Sequence, residues 1–292
     1  MLRIAHIINP FNADPSSDLY TAQPITFASM VAAKESAENS VEVSLFTAQF
    51  LEDRDCVPST FKLTQDLERS VMDQDNFQKK LKLPLIADIL GRLYESSNAD
   101  YFIYTNVDIG LYPDFYMKIK SFIDSGLDAF IINRRRLPDG FDTIESLKEI
   151  YTLKGKKHPG FDCFVFKRDL FPKFSLEGIC IGVPFIGITL SQNIFAFSER
   201  YKIFTDEILT FHIGEEIYRK RAPKEYFKYN QKEFWKAMNN GPIKNLTPKK
   251  MPYGNWPLPL RTIRWGLHPS IPIRLGLKLE KRKLLNLFVK NK

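Results

Sequence analysis

The sequence predicts an α/β protein built on a mainly parallel sheet with helices on both faces. Two observations lead to this fold class. Short segments rich in aromatic and β-branched residues alternate with segments whose apolar residues recur at helical spacing. One of the short segments, residues 101–105, contains no charged residue, which is typical of a strand buried on both faces of a sheet.

The first 133 residues contain the regular alternation. We expect strands at residues 2–8, 41–46, 101–105 and 128–133. We expect helices at residues 25–36, 85–95 and 116–125. The helix at 85–95 is the clearest, because it follows Pro84 and carries its apolar residues on one face. Residues 51–82 are polar and predict a short helix and a loop rather than core.

The pattern is less regular beyond residue 135. A short strand at residues 163–167 is followed by mixed strand and helix over residues 178–212. From residue 218 onward, proline, lysine and aromatic residues dominate. We therefore predict a main domain over residues 1–217 and a basic extension over residues 218–292.

The net charge of +8 is unevenly distributed along the chain. Residues 218–292 contain 19 Lys and Arg against 3 Asp and Glu, which leaves 23 basic and 31 acidic residues in residues 1–217. A basic extension on an acidic body predicts that the extension meets an anionic surface.

The three cysteines predict neither a disulfide framework nor a zinc site, because they are odd in number and form no CxxC pair. The first residues indicate a strand rather than a targeting leader. The longest weakly polar stretch, residues 178–190, contains Pro184 and is too short to span a membrane. We expect a cytoplasmic protein, with contact to the inner face of a membrane as the open alternative.

Two polar residues directly follow the strand at 101–105. Asn106 and Asp108 are two positions apart, so on extended chain their side chains point the same way. Both carry oxygen atoms of the kind that Mg²⁺ and Mn²⁺ prefer, and the carboxyl ends of strands are where α/β sheets bind ligands. The alternative is that this Asn-x-Asp forms only a turn or a helix cap.

Four segments resemble glycosyltransferases of the GT-A fold when taken in chain order. They are ADYFIYTNVDIGLYPDFY, DAFIINRR, HPGFDCFVFKRDLF and ILTFHIGEE. The resemblance covers about residues 1–217 and indicates no particular family. It implies a GT-A-like, Rossmann-related catalytic domain with a nucleotide half over about residues 1–135 and an acceptor half over about residues 136–217. It also implies a nucleotide-sugar donor and a glycan or lipid-linked acceptor.

The resemblance makes Asp108 the main ligand of Mn²⁺ or Mg²⁺ and of the donor diphosphate. Asn106 stands where the family pattern has aspartate, and a neutral amide binds a metal less strongly than a carboxylate does. His212 is similar to a late histidine that some of these enzymes place on the metal or diphosphate. The alternative for His212 is a structural histidine bonded to backbone.

The acceptor half contributes a candidate base. Asp162, in Gly-Phe-Asp-Cys-Phe, resembles an acceptor-binding acid or catalytic base, and it could equally be a turn residue. Asp206 and Glu207 are alternatives for the same role.

The nucleotide half contributes candidates for binding the donor. A base or ribose is expected beside Asn9, Pro10 and Asn12. The helix at 85–95 carries Asp88 and Arg92 one turn apart, so Arg92 could contact phosphate or simply pair with Asp88. A sugar or phosphate is also within the expected reach of Arg134 and Arg135, unless these form a solvated loop.

Metal-assisted transfer of a sugar is therefore the leading hypothesis. A nucleotidyltransferase is the enzymatic rival, but residues 8–12 lack the glycine-rich phosphate loop that it normally needs. A non-catalytic nucleotide-sugar or glycan-binding protein on a GT-A scaffold is the third hypothesis. No nucleic-acid motif appears in the basic extension.

The extension is expected to pack partly on the main domain through its aromatic residues. These are Phe234, Trp235, Trp256 and Trp265. Its prolines prevent one long helix, although residues 275–289 could form a short basic one. Such a helix could be attracted to an acidic membrane, or it could be a solvated surface or an oligomer contact.

Overall fold

A computed structural model describes residues 1–213 and 223–290 of the chain. Its nine strands lie in one sheet. They are β1 (Arg3–Ile8), β2 (Glu42–Thr47), β3 (Lys62–Leu63), β4 (Tyr101–Thr105), β5 (Ile109–Leu111), β6 (Ala129–Arg136), β7 (Lys156–Lys167), β8 (Tyr201–Phe204) and β9 (Thr210–His212). The described α-helices are α1 (Asp18–Ser36), α2 (Ile86–Ser96), α3 (Phe115–Asp124), α4 (Leu147–Ile150), α5 (Ile186–Phe197), α6 (Lys224–Asn239), α7 (Leu258–Leu267) and α8 (Ile271–Lys290).

The sheet is mixed but mainly parallel. Its strand order is β3-β2-β1-β4-β7-β6-β9-β5, and β8 also pairs with β6. The pairs β1–β2, β1–β4, β2–β3, β6–β8 and β6–β9 are parallel. The antiparallel pairs are β4–β7, β6–β7 and β5–β9. Because β7 runs opposite to its two neighbours, β7 begins at the edge where β4 and β6 end.

Side chains alternate between the two faces of the sheet, as the pleat of a strand requires. In β4, Phe102 and Tyr104 pack with the helices α2 and α5, whereas Tyr101 and Ile103 pack with α1 and α3. All four are buried. The predicted α/β class, with a mainly parallel sheet and helices on both faces, is confirmed.

Several elements differ in extent from the prediction. Helix α1 begins at Asp18 rather than at residue 25 and continues through Pro24. Strand β7 has 12 residues, where the sequence predicted only residues 163–167, because pairing with β6 extends it into polar sequence. Strand β5 was not predicted, since three residues form a strand only when a partner such as β9 lies beside them.

The C-terminal helices pack against the sheet domain. Phe234 and Trp265 are buried in the same apolar cluster as Phe102, and Trp235 packs at its margin. Trp256 remains 46% exposed. Helix α8 covers more than the expected residues 275–289. The division of the chain at residue 217 stays a prediction, and its boundary lies outside the described residues.

Within residues 1–213 and 223–290, no helix combines the length and the apolarity that crossing a bilayer would require.

Candidate functional site

Strand pairing brings Asp108 and His212 together, although 104 positions separate them in the chain. Ile109 of β5 pairs with His212 of β9, and the Ile213 N–H donates to the Asp108 carbonyl at 3.1 Å. His212 Nε2 lies 3.2 Å from Asp108 Oδ2. The two strands are close because β5 has Gly110 opposite Phe211, where an added Cβ would lie 2.3 Å from the phenyl ring.

The electrostatic surroundings keep Asp108 ionised. Burial by itself raises the pKa of this carboxyl, but the hydrogen bond and charge of His212 and the charge of Arg134 outweigh burial and lower the pKa. The second carboxylate oxygen, Oδ1, is buried and has no hydrogen-bond partner in the described structure. A buried anionic oxygen without a partner is costly unless a ligand satisfies it.

Asn106 is oriented by a neighbour that the sequence analysis did not single out. The Tyr104 hydroxyl donates to Asn106 Oδ1 at 2.9 Å. Burial raises the pKa of Tyr104, so its hydroxyl keeps the proton that it donates. The amide oxygen of Asn106 retains a second lone pair for a ligand. No local sequence signal marks this contact, because Tyr104 also fits the pattern of a core residue.

Asp162 lies at the same edge because of an irregularity in β7. Ile132 pairs with Cys163 and Asn133 pairs with Phe161, so Asp162 is the extra residue of a β-bulge. Bulges redirect side chains and are frequent beside active sites. Asp162 Oδ1 accepts from Arg134 Nη1 at 2.5 Å.

The Asp162–Arg134 ion pair is largely buried, and one carboxylate oxygen of Asp162 takes no part in it. Asp162 Oδ2 is buried and has no hydrogen-bond partner among the residues that the structure describes. Asp162 therefore resembles Asp108, since a basic side chain binds one oxygen and the other has no partner in the part of the chain that the structure describes.

The donor atoms at this edge suit a divalent ion only if substrate completes the site. Asp108, His212 and Asn106 supply one carboxylate, one imidazole and one amide. In the described part of the chain, no group of three or more His, Cys, Asp or Glu side chains is arranged to hold a metal. Mg²⁺ is commonly bound by one or two carboxylates together with substrate phosphates and water. The metal-binding roles of these three residues stay predictions.

The candidates that follow β1 bond to the loop that follows β2. Asn9 Nδ2 donates to the Ala48 carbonyl at 2.5 Å, and Pro10 is buried beside it in the chain. The Asn12 N–H donates to Asp53 Oδ1 at 2.9 Å. These contacts give the loops a fixed shape, and the expected binding of a base or ribose here is untested.

Asp88 and Arg92 do not pair with each other, contrary to the simple expectation for residues one helical turn apart. Asp88 accepts two bonds of 2.8 Å from Arg69, and Arg92 pairs with Glu68 and Glu95. These partners, with the exception of Glu95, lie in the connection between β3 and α2. The predicted contact of this helix with phosphate remains a prediction.

The remaining candidates are Arg135 of β6 and two residues of the loop between β8 and β9, Asp206 and Glu207. Arg135 is buried and donates to the carbonyl groups of Asp206 and Glu207. The Asp206 side chain is exposed and pairs with Lys157. Arg135 therefore fixes the loop that leads into β9, and so it supports the position of His212.

His6 is a further polar residue close to the site, because it bonds to Thr105, which directly precedes Asn106. Its Nδ1 lies 2.8 Å from the Tyr116 hydroxyl and its Nε2 lies 2.9 Å from Thr105 Oγ1. Burial lowers the pKa of His6 to about 3, so the ring is neutral at pH 7. A histidine among the apolar residues Ile4, Ala5, Ile7 and Ile8 was the available sequence signal.

No family model and no curated protein matches the chain. Solved structures show similarity over most of its length. S. aureus TarS 1-349 in complex with UDP-GlcNAc is 10% identical, with a TM-score of 0.49, over 94% of this chain and 78% of that one. Glucosyl-3-phosphoglycerate synthase from Mycobacterium tuberculosis, with Mn²⁺, uridine diphosphate and phosphoglyceric acid, is 11% identical with a TM-score of 0.46, over 82% and 78%.

A third similar structure is described as a glucose-1-phosphate thymidylyltransferase from Bacillus anthracis, in complex with a sucrose. It is 10% identical with a TM-score of 0.42, over 79% of this chain and 98% of that one. The function of this chain is therefore inferred from its own residues.

Proposed function

We propose that this protein is a glycosyltransferase that moves a sugar from a nucleotide-sugar donor to a glycan or lipid-linked acceptor. The observation that carries the proposal is a pair of carboxylates at one edge of the sheet, each with a buried oxygen that has no hydrogen-bond partner among the described residues. Within residues 1–213 and 223–290, Asp108 and Asp162 each have one oxygen bound to a basic side chain and one oxygen without a partner. Unsatisfied buried oxygens at the carboxyl ends of α/β strands are typical of a ligand site.

The two carboxylates would serve different parts of the reaction. In sugar transfer the bond from the anomeric carbon to the diphosphate oxygen breaks, and the diphosphate leaves with the electron pair. Asp108, Asn106 and His212 would hold a divalent ion, which supplies Lewis-acid stabilisation of that diphosphate. The positive charge of Arg134, which acts on Asp108, adds to the attraction for phosphate.

Asp162 would act on the acceptor. A new bond forms between the acceptor oxygen and the anomeric carbon, and the hydroxyl proton must be accepted. Asp162 Oδ2, which has no partner among the described residues, would accept a hydrogen bond from that hydroxyl, while Oδ1 stays bound to Arg134. Arg134 thereby links the donor and acceptor sides of the site.

A non-catalytic binding protein is the alternative that a specific observation favours. Asn106 replaces a carboxylate, and the described residues offer no three-residue acidic or histidine cluster for a metal. A nucleotidyltransferase is less well supported, because the connection between β1 and α1 contains no glycine for close approach to phosphate.

The decisive experiment combines binding with turnover. Purified protein is screened by thermal shift with UDP-, GDP-, dTDP- and CMP-sugars, with and without Mn²⁺, and the stabilising donor is then assayed for release of nucleotide. We expect one donor class to raise the melting temperature and to be consumed. For the variant Asp108→Asn, the matched control is Asp114→Asn. Asp114 is an exposed carboxylate six positions from Asp108, and it makes no capping hydrogen bond.

The two alternatives predict different results. Binding of a donor without turnover, with any acceptor fraction added, would favour the binding protein. If no nucleotide-sugar changes the melting temperature, the proposal of a nucleotide-sugar site is wrong.

A further inference from the structure

Helix α7 has an unusual distribution of polarity for a helix at a protein surface. Its outward positions carry apolar residues, with Leu260, Ile263 and Leu267 exposed by 55%, 59% and 75%. Trp256 just before the helix and Ile271 just after it are also exposed. A surface helix normally presents charged and polar residues to water.

The inward positions of α7 carry a charge that would ordinarily be solvated. Arg261 is buried and donates to both carboxylate oxygens of Glu280 at 2.9 Å and to the Gly254 carbonyl at 2.8 Å. Trp265 is buried beside it in the core. The ion pair of Arg261 with Glu280 and the buried ring of Trp265 therefore fix the orientation of α7. This orientation keeps the apolar residues of α7 on its outward face.

The helix that packs against α7 is basic. Helix α8 exposes a series of cations, which are Arg274, Lys278, Lys281, Arg282 and Lys283. Glu280 is the one acidic residue that the sequence places between positions 241 and 290, and it is bonded to Arg261. The exposed charge of this region is therefore of one sign.

We propose that α7 lies in the surface of an anionic lipid bilayer, with its apolar face among the acyl chains and the cations of α8 at the headgroups. An apolar face flanked by cations is the combination that interfacial helices use, and each surface-close cation gains from anionic lipid. Trp256 is suited to the headgroup level. With ten residues, α7 can lie on a membrane but cannot cross one.

Charge argues for lipid rather than for a second copy of the chain. Two copies that met through α7 would bring their basic flanks together, and like charges at an interface oppose association. An anionic bilayer removes this repulsion and also covers the apolar face.

The test is sedimentation of the full chain with vesicles of phosphatidylcholine, with and without phosphatidylglycerol, at low and high salt. We expect binding to the anionic vesicles at low salt and weaker binding at high salt. Ile263→Asp and Leu267→Asp should each lower the partition coefficient at least tenfold, since each places a charge on the face that enters the bilayer. The control is Met117→Asp, which introduces the same charge at a 41% exposed position of α3.

Trp256 supplies an independent signal. On addition of anionic vesicles its fluorescence should shift to shorter wavelength, and Trp256→Phe should remove the shift while binding is kept. All variants must show the melting temperature of the unchanged protein, which is expected because the substituted residues are exposed.

Three results would overturn the proposal. These are no sedimentation with anionic vesicles at low salt, equal losses for Ile263→Asp and Met117→Asp, or a concentration-dependent dimer that Ile263→Asp dissociates. The last would assign α7 to self-association. None of them bears on the carboxylate site, which lies in the turn between β4 and β5 and on β7 and β9, and which is tested by donor binding.

Discussion

Two regions at the carboxyl edge of the sheet differ in how their polar groups are satisfied. In the loops after β1 and β2, polar groups bond to one another: Asn9 to a carbonyl, Asn12 to Asp53, and Gln23 to the backbone of Phe11. Beyond the end of β4, Asp108 and Asp162 each keep one buried oxygen that has no hydrogen-bond partner among the described residues. Both regions are rich in polar residues, but only the first is saturated, in the sense that the side chains named here have hydrogen-bond partners.

The difference supports the proposal that the ligand binds at Asp108 and Asp162 rather than in the loops after β1 and β2. A buried polar group left without a partner costs about 1–3 kcal/mol, and more when it is charged. The fold carries this cost at Asp108 and Asp162 and avoids it in the loops after β1 and β2. This is consistent with a ligand that bonds to the free oxygens of the two carboxylates. We therefore expect substitutions at the carboxylates to affect turnover, and substitutions in the saturated loops to affect mainly local structure.

The largest expected effect is that of Asp108→Asn. The substitution keeps the shape of the side chain but removes the charge that Oδ1 offers to a cation, so transfer should fall about 10³-fold. Turnover is measured with saturating donor and Mn²⁺, and circular dichroism checks the fold. Asp114→Asn is the control and should behave as the unchanged protein; near-normal turnover of Asp108→Asn would remove this residue from the site.

A smaller loss is expected for Asp162→Asn. The amide can still accept from Arg134 but cannot take up a proton, so transfer should fall about 10²-fold while donor affinity is nearly unchanged. The measurement is a comparison of donor Kd with turnover number. A parallel loss of donor affinity would instead place Asp162 at the nucleotide.

The contact between β5 and β9 is tested by Gly110→Ala. The new Cβ would meet the Phe211 ring at 2.3 Å, so the two strands must separate. We expect a loss of about 1–3 kcal/mol in the free energy of unfolding, together with lower turnover because Asp108 moves from His212. The control is Gly91→Ala in α2, where nothing lies within 4 Å and alanine favours the helix.

His6 lies between the two regions. It belongs to β1, and its ring is hydrogen-bonded to the hydroxyl of Thr105, the last residue of β4. Its pKa of about 3 in the folded state is below the ordinary value of 6.5, so between these values only the unfolded chain binds the proton. The free energy of unfolding should therefore fall as pH is lowered from 6.5 towards 3, by up to about 1.4 kcal/mol per pH unit.

The pH dependence is measured by urea unfolding between pH 7 and 4, and His6→Gln should flatten it. His268, whose pKa burial lowers to about 4, contributes in the same direction, so some slope should remain. A slope that is unchanged in His6→Gln would contradict the assignment. Asp108 adds to the slope only at the acid end of this range, because its lowered pKa stabilises the folded state until an unfolded aspartate, of pKa 3.8, begins to take up a proton.

The smallest effect is expected for Asn12→Ala in the saturated region. It removes one exposed bond, from Asn12 Nδ2 to the Glu52 carbonyl at 3.0 Å, and should lower the free energy of unfolding by no more than about 1 kcal/mol. Turnover at saturating donor should be preserved. A loss as large as that of Asp108→Asn would end the distinction between the two regions.

Much of the fold follows from local sequence. The strand at Tyr101–Thr105 coincides with its prediction, and the helix predicted at 85–95 is displaced by one residue at each end. These elements are legible because their apolar spacing extends over consecutive residues. The position of Asn106 and Asp108 directly after a buried strand was likewise readable from sequence.

The sequence alone therefore determined the α/β class and one half of the candidate site. Only the tertiary structure decided that β7 runs against its neighbours with Asp162 in a bulge, that β9 brings His212 to Asp108, and that α7 turns Arg261 inward. The physical reason is that a strand pairing or an ion pair between distant residues depends on which elements become neighbours. Local spacing of apolar residues contains no information about that choice.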